Sequence, residues 1–242
     1  MSTDTKLPVV TDPAPARVLA ESVSELLESS ARVPTLLLVA GGSVRTDVLP
    51  LIRVPEDCSK LTVCVLDERV TDVVADQNHH QLIQTPWLQA VLKSGGTLLD
   101  APFARPTDAD FMSTTWEDAL RTWRATHPAA RVVALAGIGS DGHIAGVLPL
   151  AQEKNMAQFL NQAWVTSYIA PIGMNQHPRR VTVTLTAFRE LIDTALLYAV
   201  GTEKRVALEE LLARQHNLLE LPARIVYDVG TVTLYTDLTL EV

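Results

Sequence analysis

Leu135-Ala136-Gly137-Ile138-Gly139-Ser140-Asp141-Gly142-His143-Ile144-Ala145 is the stretch from which the rest of this chain is read. The apolar run Val132 to Leu135 enters a glycine-rich turn, and an acid and an imidazole follow two residues apart. A buried parallel strand delivers polar groups to the carboxyl edge of an α/β sheet in this way, and ligands bind at that edge. A helix is predicted directly behind the turn. Histidine is the side chain best suited to proton transfer near neutral pH, so His143 is a candidate general base and Asp141 its partner.

Three further runs repeat the pattern. Leu36 to Val39 stops at Gly41-Gly42-Ser43, Leu61 to Leu66 stops at Asp67-Glu68-Arg69, and Leu196 to Val200 stops at Gly201-Thr202-Glu203-Lys204. Continuous apolar strands alternating with helices indicate a parallel sheet covered on both faces. The fold expected is α/β: a three-layer, Rossmann-like domain with a mainly parallel sheet and helices on both faces. The alternation in Ala223 to Asp237 around Asp228-Val229-Gly230 predicts a C-terminal hairpin. Residues 1 to 13 read as a flexible tail and 14 to 242 as a single domain. Helices are expected over Ala14 to Ser30 and around Thr46 to Ile52, Trp116 to Thr126, Glu153 to Asn161 and Glu203 to Arg214, with an irregular connection over residues 93 to 113.

Composition narrows the classes. With 47% hydrophobic residues the chain can bury a sizeable core. Net charge is -8 and no dense Lys/Arg run occurs, which argues against a nucleic-acid partner. The two cysteines, Cys58 and Cys64, provide no disulfide framework and fit a reducing cytoplasm. The N-terminus lacks the pattern of a signal peptide, and the apolar runs are strand-length, so no membrane span is expected. His79 and His80 lack the spacing of a helical metal pair, and no Cys/His cluster points to zinc.

The turns carry the candidate chemistry. Gly41-Gly42-Ser43 can turn sharply and offer N–H groups to an anion. Arg69 can clamp a phosphate, with Asp67 and Glu68 binding sugar hydroxyls or holding the arginine. Arg180, leading the alternating strand Val181 to Leu185, and Lys204, opening a helix, are candidate anion ligands. Taken alone, each of these has a plain reading as a tight turn or a solvated charge.

In this order the segments resemble the 6-phosphogluconolactonase family, within the group that includes glucosamine-6-phosphate deaminases and ribose-5-phosphate isomerases. Gly41-Gly42-Ser43, Asp67-Glu68-Arg69 with Asn78, Gly137-Ile138-Gly139-Ser140-Asp141-Gly142-His143, Arg180 with Val181 to Thr184, and Gly201 to Lys204 carry the resemblance. It departs at Val44-Arg45, at Thr71 and at Ile144-Ala145-Gly146. The Asp-Gly-His-Ile-Ala continuation is closer to the deaminase branch. That branch, however, has a Glu where Leu148 stands and Tyr where Arg69 stands.

The resemblance implies hydrolysis of 6-phospho-D-glucono-1,5-lactone to 6-phospho-D-gluconate in the oxidative pentose phosphate pathway. It implies His143 and Asp141 as catalytic residues. It also implies Gly41, Gly42, Ser43, Asp67, Glu68, Arg69, Gly139, Arg180 and Lys204 as substrate or phosphate ligands. No metal or organic cofactor is expected. The partner is a small sugar-phosphate lactone, and monomer and dimer both stay open. Oxyanion stabilisation is assigned to amides of the glycine turn. The alternatives are a sugar-phosphate isomerase or deaminase, or a non-catalytic sugar-phosphate sensor.

Overall fold

The computed structural model describes residues 6–149, 156–171, 173 and 176–240. Its strands are β1 (Val9–Thr11), β2 (Thr35–Val39), β3 (Leu61–Val65), β4 (Asp67–Arg69), β5 (Thr97–Leu98), β6 (Arg131–Gly137), β7 (Val165–Ile169), β8 (Arg179–Val183), β9 (Thr194–Tyr198) and β10 (Thr231–Thr236). Seven of them form one sheet in the order β1-β10-β9-β6-β2-β3-β5, and every pairing is parallel. Every residue of β2 is buried. Successive side chains point to opposite faces, so both faces of the sheet are covered there. The expected α/β architecture is the observed one.

The order of this sheet creates the site. From β2 the chain moves outward to β3 and β5, then returns to place β6 on the other side of β2. The loops leaving β2 and β6 therefore part company at adjacent carboxyl ends. Such a reversal opens a crevice in an open α/β sheet. A second, three-stranded antiparallel sheet, β4-β8-β7, stands beside it. It is tethered at Leu66, between β3 and β4, where the amide donates to Val39 O at 2.9 Å and the carbonyl accepts from Val183 N at 3.2 Å.

Several expectations need correction. The C-terminal segment is not a hairpin: Pro222–Asp228 is a 3-10 helix, and β10 runs parallel between β9 and β1. The alternation there reflects a strand near the sheet edge. The antiparallel pairing lies instead in the β4-β8-β7 sheet. Part of the N-terminal tail is structural, because β1 pairs with β10 from Val9 to Thr11. No helix follows His143 directly; Ile144 bridges to Ile138 and to Val147.

Helices fared unevenly. Ala14 to Ser30 is observed as α1 (Pro15–Glu28). The element around Thr46 is a π-turn, Val44–Val48, followed by a 3-10 turn, Leu49–Leu51, in which Pro50 has no N–H to donate. α2 (Asn78–Ile83) and α3 (Pro86–Lys93) were not foreseen. α4 (Ala109–Thr126) begins earlier than expected because the Asp108 carboxylate accepts from Phe111 N at 2.9 Å and caps it. Residues 153–155 of the helix expected around Glu153 to Asn161 lie outside the described residues, and Ala157–Phe159 is a 3-10 turn. α5 (Leu185–Glu190) follows β8, and α6 (Arg205–Ala213) follows the Lys204 turn. Both cysteines are buried and free.

Candidate active site

The crevice between the β2 and β6 loops is a cleft of about 280 Å³. Gly41, Gly42 and Ser43 line it from β2, Asp67, Arg69 and Asn78 from β4 and α2, Gly139, His143, Ala145 and Gly146 from the β6 loop, Arg180 from β8 and Lys204 from the β9 loop. Segments remote in sequence meet here because each parallel strand ends at the same edge.

The β6 loop is shaped around its histidine. Asp141 Oδ1 lies 2.6 Å from His143 Nδ1 and also accepts the His143 amide at 3.2 Å. Burial opposes ionisation of Asp141, but the hydrogen bond and charge of His143 outweigh it and hold the carboxyl below its ordinary range. The bond on Nδ1 leaves Nε2 as the nitrogen available for proton transfer. Gly139 is required by close approach: a Cβ there would overlap the imidazole and the Asp141 carboxylate. Gly142 has φ of 79°, and a Cβ there would run into Leu221. The neighbouring amide of Ala223 donates to Gly142 O at 3.0 Å. Leu221 and the start of the 3-10 helix thus buttress the β6 loop.

The other wall is cationic. The Arg69 guanidinium donates from Nη1 to Asp76 O at 2.9 Å, while its buried Nε has no partner. The Lys204 ammonium lines the cleft and makes no hydrogen bond among the described residues. The amides of Gly41, Gly42 and Ser43 likewise donate to no described group. Gly41 is pressed against Asn78, whose Nδ2 donates to Asp67 O at 2.9 Å and whose buried Oδ1 is unpartnered. In the sequence Asn78 stands only as a motif position. Its placement on the cleft depends on how α2 docks, which no local pattern announces.

Glu68 and Arg180 are both engaged by other groups of the fold. Glu68 does not line the cleft. It is buried, and its carboxylate accepts the amides of Arg69, Asn78 and His79 at 2.6, 2.7 and 2.7 Å, which fixes the start of α2. Burial pushes its pKa up to about 7, against the pull of those amides. Arg180 reaches the cleft as half of a buried ion pair with Asp67 rather than as a free cation. The pair's charges offset each other, and it forms the floor beneath Gly146, where a Cβ would meet Asp67 Oδ2 and Arg180 Nε. Among the described residues, no three His, Cys, Asp or Glu side chains gather as a metal-binding group. No described helix is long and apolar enough to cross a membrane.

Similar proteins share this frame. A 6-phosphogluconolactonase of a Synechocystis species is 24% identical over 206 residues, 84% of this chain and 81% of that one. The crystal structure of a 6-phosphogluconolactonase from Shewanella baltica superposes with a TM-score of 0.73 at 22% identity, covering 98% of this chain and 99% of the other. The 6-phosphogluconolactonase of Trypanosoma brucei gives 0.73 at 19% identity, with 96% and 97% covered. The family model described as glucosamine-6-phosphate isomerases/6-phosphogluconolactonase matches residues 11–235. With nearly the whole sheet and every wall of the cleft inside that match, this chain belongs to the glucosamine-6-phosphate isomerase/6-phosphogluconolactonase family.

Proposed function

We propose that this protein is a 6-phosphogluconolactonase, hydrolysing 6-phospho-D-glucono-1,5-lactone to the open-chain acid. The observation that carries the reading is His143, held by Asp141, sharing one cleft with two cations and with unpaired backbone amides. The phosphate is held by Arg69, Lys204 and the amides of Gly41 to Ser43. Fixing that remote group positions the ring ester against His143. His143 takes a proton from water as the water oxygen bonds to the lactone carbonyl carbon, and the carbonyl π pair moves onto oxygen. On collapse the C=O bond re-forms, the ring C–O bond breaks, and the ring oxygen receives the proton from His143. The new acid loses its own proton to solvent. Asp141 holds the imidazole and stabilises its charged form.

Leu148 is buried, so the described site offers no second carboxylate there of the kind a deaminase needs. The test is lactone hydrolysis, with the substrate generated in situ and the product drained by 6-phosphogluconate dehydrogenase. Acceleration well above spontaneous hydrolysis, lost in His143→Ala, is expected. Acceleration that survives the substitution would overturn the assigned base. No acceleration in the native protein, together with ammonia release from glucosamine 6-phosphate, would favour the deaminase instead.

A further inference from the structure

The amides of the glycine turn are the expected oxyanion donors, but three of them are already engaged. Gly139 N donates to His143 O at 2.9 Å, Gly142 N to Gly139 O at 3.0 Å, and His143 N to Asp141 Oδ1 at 3.2 Å. The next turn is different. Ala145 and Gly146 have φ of 49° and 69°, and Val147 N donates to Ile144 O at 2.7 Å. Positive φ at both central residues makes this a two-residue type I′ hairpin. An alanine in the left-handed region carries a conformational cost, so something must hold it there.

Two hydroxyls do so. Thr182 Oγ1, on β8, donates to Ala145 O, and Tyr168 OH, on β7, donates to Gly146 O. Both side chains are buried and neither lines the cleft. In a trans peptide the C=O and N–H point in opposite directions. Anchoring the Ala145 carbonyl on Thr182 therefore turns the Gly146 N–H away from β8, and that N–H has no partner among the described residues. Gly146 lines the cleft together with His143, three residues before it in the chain.

We propose that the Ala145–Gly146 peptide supplies the oxyanion donor of this cleft, through the Gly146 N–H, and that Thr182 and Tyr168 are positioning residues that aim it. This rests on the lactonase reading above. As the water oxygen bonds to the carbonyl carbon, negative charge grows on the carbonyl oxygen, and a fixed N–H stabilises it without reorganising. The Asp67–Arg180 pair beneath Gly146 keeps the turn from sinking.

The test is steady-state kinetics of Thr182→Val, Tyr168→Phe and Thr182→Ser beside the native protein. Loss of one oxyanion donor costs about 10²–10³ in kcat, so loss of its anchor is expected to cost roughly tenfold to hundredfold. KM should be nearly unchanged, and the pH profile should keep its shape because His143 is untouched. Thr182→Ser, which keeps the hydroxyl, should restore most of the rate. Unchanged kcat in Thr182→Val, a loss confined to KM, a shifted pH profile, or no recovery in Thr182→Ser would each overturn the proposal.

A measurement without turnover separates the two readings. In a ¹⁵N spectrum titrated with 6-phosphogluconate, the resonances of Gly41 to Ser43 and of Gly146 should all move, and Gly146 should move less in Thr182→Val. Movement of Gly41 to Ser43 with a still Gly146 sinks the donor assignment alone. No movement anywhere sinks the functional reading and this inference together.

Discussion

Asp141 and His143 are two residues apart, yet their relation depends on a residue without a side chain. Gly139 leaves the space in which carboxylate and imidazole meet. That relation was legible in the sequence, because acid, glycine and histidine follow one another in a single turn. What could not be read was which charges would be free. Arg180 and Arg69 look alike in sequence, but only the fold shows that Arg180 faces Asp67 across two strands. For Asp141 the expectation is specific. Asp141→Asn should lower kcat by about 10²-fold or more, since the imidazole loses the group that orients it and stabilises its charge. Its carboxyl lies below the ordinary 3.8 in the folded state, so its contribution to stability is present above that value and fades as pH falls below it. Thermal melts of the native protein and of the Asp141→Asn variant should therefore converge as pH drops below about 4.

At the scale of elements, the strands were the readable part and the connections were not. Four of the main-sheet strands announce themselves as apolar runs because they are buried on both faces. α2 does not, since its start is held by a distant carboxylate rather than by its own capping residue. Glu68 is ordinarily half-ionised near 4.5, but burial raises it to about 7 in the folded state. The folded protein therefore holds a proton that the unfolded chain releases, and stability declines as pH rises from about 4.5 to about 7. Glu68→Gln should flatten that slope. It should also cost about 1–3 kcal/mol, because the Gln amide cannot accept from the His79 N–H. Melting midpoints from pH 4.5 to 8 would check both effects.

The β6 loop has its own vulnerability. Gly142→Ala combines left-handed backbone with overlap on Leu221. It should cost at least about 1–2 kcal/mol for the backbone alone, and kcat should fall with it if, as proposed, Asp141 and His143 on this turn carry the chemistry. A denaturant melt read beside the kinetics would show the two losses together. Ala145 defied sequence reading for a related reason: nothing in a neighbouring residue reveals that hydroxyls from β7 and β8 hold its turn in place.

For the whole molecule, reading the C-terminus as a hairpin and the N-terminus as a tail was one error in two places. Val9–Thr11 and Thr231–Thr236 are strands of the main sheet, and each lacks a local partner, so short-range pattern could not pair them. β1 covers the outer edge of β10. Deleting residues 1–12 should leave that edge open to other chains, with a lower melting midpoint and increased light scattering on warming. Unchanged melting and scattering would show that the edge needs no cover.

That pairing joins Val9 to Leu234. On a ribosome the first strand emerges long before its partner exists. At about 5–20 residues per second the wait is roughly 10–45 s. During synthesis β1 therefore stays unpaired until β10 has emerged, and the β1–β10 contact forms after the strands that lie between them in the chain are made.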